Sequence, residues 1–358
     1  MLIGYIIALI ISFYLLAEVS DKYFVVSLDV ISKRMKMSHD MAGATLMAIG
    51  SSAPELFVSF IALFRPGDHG NIGIGTIVGS ALFNLLVIVG AAGIVKNTVL
   101  AWQPVVRDIL FYVIAIFALF YVLQNGHVTI MEAVILISLY ILYVIAVVKW
   151  RTWFNFKVYD EDPEEEDPDE PKTGWKRVFK PFDWLLKLCF PHKKHYLSMF
   201  FISILFIGVL CWILVESAIG ISIILNVPEV VIALTVLAVG TSVPDMISSV
   251  IVAKQGRAGM AISNAIGSNI FDIFIGLGLP WLLIMLLYDE KLKVDVHGLG
   301  ISIGLLFASA ILIMMVLMVK KWRLTHGLGF FLTTLYIIYV IWEILKIYIE
   351  DLTFGLFN

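Results

Sequence analysis

Ten apolar stretches follow one another along this chain, near residues 2–27, 40–64, 71–95, 105–123, 128–149, 198–225, 228–253, 259–288, 297–319 and 327–349. Most reach or exceed the roughly 20 residues that an α-helix needs to cross a bilayer. Nothing else constrains the fold as strongly, because a helix is the only single segment whose backbone groups are all satisfied in hydrocarbon. The expectation is an all-α polytopic membrane protein with ten transmembrane helices. Composition agrees, with 60 % hydrophobic and 15 % charged residues, against about half and a quarter in soluble domains. The net charge of −3 says little about partners, but the lack of a basic domain or nucleic-acid module sets nucleic acid aside. Two cysteines, Cys189 and Cys211, make neither a disulfide framework nor a zinc site, and the seven histidines show no ligand spacing. No basic residue precedes the first apolar run, which argues for a first spanning helix rather than a cleaved leader.

Charge in the connections gives orientation. Lys33, Arg34 and Lys36 fall in the first, Lys96 and Arg107 in the third, Lys254 and Arg257 in the seventh, and Lys320, Lys321 and Arg323 in the ninth, while the fifth is richest of all. The even connections carry only Arg65, Lys291 and Lys293. Positive charge stays inside, so the odd connections are expected in the cytoplasm and both termini outside. The long connection, 150–197, contains YDEDPEEEDPDEP, a solvated stretch with no EF-hand spacing. Next comes WKRVFKPFDWLLKLCFPHKKH, whose interleaved aromatic, basic and apolar residues suit the inner membrane surface.

The chain repeats itself. GATLMAIGSSAPELFVSFIA (43–62) returns as ALTVLAVGTSVPDMISSVIV (233–252), and IVGSALFNLL (77–86) as AIGSNIFDIF (265–274). Thr45, Ala48, Gly50, Ser52, Pro54, Ser59 and Ile61 recur 190 residues later. A duplicated unit follows, with a first five-helix repeat over 1–149, a linker over 150–197 and a second repeat over 198–358. Five crossings are odd, so the copies are expected to be inverted in the membrane, a transporter design with its site near the midplane. A weaker echo, LLAEVS (15–20) and ILVESA (213–218), sets Glu18 against Glu216, either lining a pathway or paired with a polar neighbour near a membrane surface. Glu132 and Glu343, in the fifth and tenth segments, lack motif support and read as interface or packing residues.

In each copy a proline interrupts a spanning segment and an acid follows it: Pro54 with Glu55, Pro244 with Asp245. Proline removes a backbone donor and pushes away the carbonyl one turn back, which hydrocarbon tolerates only where the freed groups meet polar partners. Intramembrane acids mark ion paths or proton relays by default. Ser52 and Glu55 are three apart, as are Ser242 and Asp245; Ser80 and Asn84 are four apart, as are Ser268 and Asp272. At helical spacing each pair shares a face. The constellation is all oxygen, which suits a hard cation such as calcium and disfavours soft metals. Glu55, Asp245 and Asp272 together exceed the charge of a divalent ion by one, which a monovalent cation or a proton would balance. Gly75 and Gly79 form GxxxG, a close-packing signal.

At GATLMAIGSSAPELF…GSALFN and LTVLAVGTSVPD…GSNIFD the chain resembles the two α-repeats of the calcium/cation antiporter superfamily, most of all its potassium-dependent sodium/calcium exchangers. The resemblance implies alternating access, with Glu55 and Asp245 as the principal calcium and sodium ligands. Ser52, Ser80, Asn84, Thr241, Ser242, Ser268 and Asp272 would assist, with carbonyls near Ala48 and Ala238. Asp245 in place of glutamate, and Asp272, point to the potassium-dependent branch. The transported ions would be Ca²⁺, Na⁺ and K⁺, with no cofactor and no enzymatic activity, in the plasma membrane. The linker is too short for a calcium-sensing domain, and Ser51 stands where relatives often carry glycine. Rival readings are a proton/calcium antiporter of the same fold, a passive cation channel, and an intramembrane aspartyl protease using Asp245 and Asp272.

Overall fold

A computed structural model describes residues 1–35, 46, 48–67, 69–154, 180–190, 195–254, 256, 258–288, 292–294 and 299–356. Thr45, Lys36, Arg257, Lys291 and most of the 150–197 linker, including its acidic run, lie outside the described residues.

Among the described residues eight helices are long and apolar enough to cross a membrane. They are α1 (Leu2–Leu28), α4 (Gly70–Val95), α5 (Trp102–Leu123), α6 (Ile130–Phe154), α8 (Tyr196–Leu225), α11 (Ala258–Tyr288), α12 (Leu299–Val319) and α13 (His326–Leu356). A further pair, α9 (Glu229–Thr241) and α10 (Val243–Lys254), meets the same test together and is bent by 42° at its break. The described part of the 40–64 segment forms α2 (Ala48–Ser51) and α3 (Ala53–Phe64). The short helix α7 (Lys180–Cys189) buries Leu186 and exposes Trp184 and Leu188, the two-faced arrangement that its sequence suggests.

Two-residue strands tie the helix ends together. β1 (Thr98–Val99) pairs with β4 (Arg323–Leu324), and β2 (His127–Val128) with β3 (Leu292–Lys293), both antiparallel. Their registers expose a duplication that the motifs do not reach. The buried face of α5 recurs in α12 at an offset of 194, where Leu299, Ser302, Leu306 and Ile313 match Val105, Asp108, Tyr112 and Leu119. Leu136, Tyr140 and Tyr143 of α6 recur at an offset of 196 as Leu332, Tyr336 and Tyr339 of α13, the tyrosines within LYILYV (139–144) and LYIIYV (335–340). The rings repeat the pattern: Tyr140 meets Phe271 edge-on at 5.4 Å, and Tyr336 meets Phe83 edge-on at 5.4 Å.

Apolar packing falls into two bodies. The larger is built on α4, α5, α6, α11, α12 and α13. The smaller joins α1, α3, α8 and α9. The broken helices lie along the seam. Gly79 and Gly75 let α4 press on α9, since a Cβ at Gly79 would strike the Leu234 carbonyl and one at Gly75 would lie 2.9 Å from Ala233; the GxxxG is a packing device here. Arg107, placed among the connecting charges by its position in the sequence, is instead buried inside α5, where its Nε donates to Asp108 at 2.7 Å. A charge can sit there because its neighbour neutralises it.

Candidate functional site

The two breaks are built alike. Ser52 has φ −89°, ψ 5° and Ser242 has φ −86°, ψ 0°, the sparsely populated bridge conformation. Helical bonding resumes past each, with the Leu56 amide donating to the Ser52 carbonyl at 3.1 Å and the Met246 amide to Ser242 at 3.0 Å. Pro54 and Pro244 fall in the first turns that follow, where a missing N–H costs least. Having no amide hydrogen, they leave the carbonyls of Gly50 and Gly240 without the usual donor. Glu55 and Asp245 occupy the same first turns, where the positive end of the helix dipole favours an anion.

The breaks face each other. Ser242 Oγ donates to Glu55 Oε1 at 3.3 Å, joining residues 187 apart in sequence. The Thr241 hydroxyl, which donates to the Leu237 carbonyl at 3.0 Å, also approaches Glu55. Glu55 in turn lies within electrostatic reach of Asp245. On the other side Ser51 Oγ and Ser268 Oγ stand 3.3 Å apart, and both hydroxyls approach the Asp245 carboxylate. Ser52 faces Asp272. The Ala48 and Ala238 carbonyls accept the Ser52 and Ser242 amides at 2.9 and 3.3 Å, so neither is bare.

Two π-helical turns complete the arrangement. Asn84 opens Asn84–Ile88 in α4 and Asp272 opens Asp272–Leu277 in α11, widening each helix where its polar residue projects. Asn84 Nδ2 donates to Asn269 Oδ1 at 2.9 Å, and Asn269 Nδ2 to the Ala81 carbonyl at 3.0 Å. Asn269 is missing from the motif reading because its partner in the repeat is Ala81; its place inside GSNIFD, one turn before Asp272, is the signal that marks it. Ser80 Oγ turns back to the Ile77 carbonyl at 3.2 Å.

Ser52, Glu55, Ser80, Asn84, Thr241, Ser242, Asp245, Ser268 and Asp272 are all buried. Ser52 Oγ, Glu55 Oε2, Asn84 Oδ1, Asp245 Oδ1 and both Asp272 carboxylate oxygens have no hydrogen-bond partner. Six orphaned oxygens in one seam is the opposite of what folding alone favours, since each unmet buried group costs about 1–3 kcal/mol. Among the described residues no three His, Cys, Asp or Glu side chains stand close enough to hold a metal alone. A cation here therefore needs the hydroxyls and amides as well as the carboxylates, the mixed oxygen shell that hard cations accept.

The remaining acids lie apart from this seam. Glu18 pairs with Lys22 and Glu216 with Arg65. Glu132 closes a capping box with Thr129, whose amide donates to it at 2.8 Å. Glu343 accepts from Ser302 Oγ at 3.4 Å.

Comparison with known proteins gives a consistent result. The family model described as "Sodium/calcium exchanger protein" matches residues 5–149 and 195–345. Human sodium/potassium/calcium exchanger 5 is 30 % identical, with 92 % of this chain and 80 % of that protein covered. Mouse sodium/potassium/calcium exchanger 4 is 28 % identical, over 93 % of this chain and 79 % of that one. Among solved structures, the sodium-calcium exchanger NCX_Mj soaked with 10 mM Na⁺ and 10 mM Sr²⁺ superposes with a TM-score of 0.60 at 25 % identity, covering 95 % of this chain and 99 % of that one.

Proposed function

This chain belongs to the sodium/calcium exchanger protein family, and from that membership and the buried oxygens between its broken helices we propose how it works. It is an integral membrane antiporter that exchanges sodium for calcium, not an enzyme. Glu55 and Asp245 bind calcium and sodium by turns. Ser52, Ser80, Asn84, Thr241, Ser242, Ser268 and Asp272 supply further oxygens, with carbonyls near Ala48 and Ala238. Because both ions need the same two carboxylates, each excludes the other, and that competition couples their fluxes. Potassium travels with calcium, its charge balanced by Asp272. No cofactor takes part. The observation that carries the reading is the meeting of the two repeats at Ser242 Oγ and Glu55 Oε1, amid carboxylate oxygens with no protein partner.

The gate is α1 with α8, two helices of the smaller packing body. Both touch the breaks: a Cβ at Gly240 would strike the Phe13 ring, and Cys211 Sγ donates to the Pro54 carbonyl at 3.6 Å. Sliding of this pair would open the seam to either side in turn.

Ten crossings fit the contacts between helix ends. Residues that touch at helix ends share a side, so an even number of crossings separates them. Between β1 and β4 lie α5, α6, α8, α9–α10, α11 and α12, an even set only if the bent pair crosses once. Arg34 sits 4.4 Å above the Tyr196 ring, and between them lie the 40–64 segment, α4, α5 and α6, even only if that segment crosses too. Ten crossings in two inverted halves of five put both termini on one side. The basic odd connections favour the outside for that side, with 150–197 cytoplasmic, in a protein of the plasma membrane.

Purified protein in vesicles tests the function. Calcium uptake should require internal sodium, should not be driven by a pH gradient alone, and should vanish in Glu55→Ala and Asp245→Ala. Equal uptake without sodium would overturn the coupling.

A further inference from the structure

The two halves of the seam differ by more than one carboxylate. The offsets of 188 and 194 place Asp272, Asn269 and Tyr112 in one half where Asn84, Ala81 and Leu306 stand in the other. All six are buried. One half thus gathers a carboxylate, an amide and a phenol where its counterpart has an amide and two apolar side chains.

Tyr112 projects from α5, its side chain beside Asn269 and within electrostatic reach of Asp272 on α11. It is 0 % exposed; the Asn269 side chain approaches its hydroxyl, but not in the geometry of a full hydrogen bond. A buried tyrosine hydroxyl ordinarily finds one. Both Asp272 oxygens are orphaned as well, as is Oδ1 of Asn84, whose amide bonds to Asn269. Tyr140, whose hydroxyl is also unpaired, borders Asp272, but its counterpart Tyr336 lies on Phe83 beside Asn84 in the same pose. Tyr140 is therefore common to both halves, and Tyr112 distinguishes them.

We propose that Tyr112 is a specificity-determining residue for the monovalent co-ion: its hydroxyl and the Asp272 carboxylate form a second cation seat on the α5 side of the seam. One carboxylate matches one positive charge, and neutral phenol and amide oxygens give the weak field that suits a large, weakly hydrated ion such as potassium. The mirrored half offers Leu306 and Ala81 and holds no such seat. This inference rests on the proposed co-transport of potassium and adds the residue that selects it.

Tyr112→Phe removes one oxygen and keeps the ring. In vesicles with the full-length protein, sodium-driven calcium uptake is measured against potassium, sodium and calcium in turn. The variant should need about tenfold more potassium for half-maximal rate, with sodium and calcium requirements at saturating potassium changed by less than about twofold. A second measurement is the potassium-induced rise in unfolding temperature of the detergent-solubilised protein at constant ionic strength. It should shrink in Tyr112→Phe and in Tyr112→Leu. An unchanged potassium response, or an equal shift for all three ions, overturns the seat while leaving the exchanger reading intact. Wild-type uptake indifferent to potassium overturns potassium co-transport and this inference together.

Discussion

Glu55 and Asp245 show most plainly that this site is not built for stability. Each is almost wholly buried, each has an orphaned oxygen, and each repels the other. An acid at mid-membrane costs about 2.5–3.5 kcal/mol even on insertion scales. In the proposed mechanism a bound cation repays that cost. Glu55→Gln and Asp245→Asn, which keep shape and remove one charge, should lower exchange by at least about 100-fold. In cation-free buffer they should leave the unfolding temperature unchanged or raised, as thermal melts in detergent would read. A large destabilisation of both variants would mean that the carboxylates serve folding instead. The same logic separates these two from Glu18, Glu216 and Glu132, each of which has a partner in the protein.

At the scale of elements, the broken helices work because their neighbours fit them closely. Gly240 has no room for a side chain against Phe13 of α1, and a Cβ at Gly50 would lie 2.8 Å from Leu28. Small residues let α1 lie on the break itself, so in the proposed gating its movement and the exposure of the seam would be one event. Gly240→Ala should cost about 1–3 kcal/mol of stability by overpacking and slow exchange. Adding Phe13→Ala should recover most of both, a coupling that a double-mutant cycle on unfolding and on calcium flux would measure. Additive effects would separate α1 from the break. The π-turns at Asn84 and Asp272 belong to this scale too. An extra residue in the turn re-aims a side chain without breaking the helix, and both turns fall at the same place in the duplicated motif.

For the whole molecule, the strand pairs are the most compact statement of its symmetry. Connections 194 and 196 residues apart in the two halves exchange partners, β1 with β4 and β2 with β3. Double cysteines at Thr98 and Leu324, or at His127 and Lys293, sit at cross-strand spacing and should oxidise to disulfides. With the pairs held reduced, Cys189 replaced and Cys211 buried, a membrane-impermeant thiol reagent should reach the 98/324 pair only from the cytoplasmic face and the 127/293 pair only from outside. Labelling of both pairs from one face would refute the ten-crossing arrangement.

The sequence by itself determines that this chain is a helical membrane protein with a duplicated, proline-interrupted motif bearing acids. Hydrophobic run length and residue identity are local properties, and the penalty for polar groups in hydrocarbon makes them decisive. Glu55, Asp245 and Asp272 stand out for the same reason: no local role accounts for a carboxylate in mid-span. Asn269 and Tyr112 are different. A tyrosine in an apolar helix looks like ordinary core until α5 is laid against α11, and an asparagine aligned with alanine looks like drift until it is seen bonded to Asn84. The repeat of α5 in α12 is equally hidden, since what recurs is the buried face rather than the residues. Only the tertiary structure decides which side chains of distant helices meet, because contacts between residues nearly 190 positions apart are set by packing and leave no trace in local spacing.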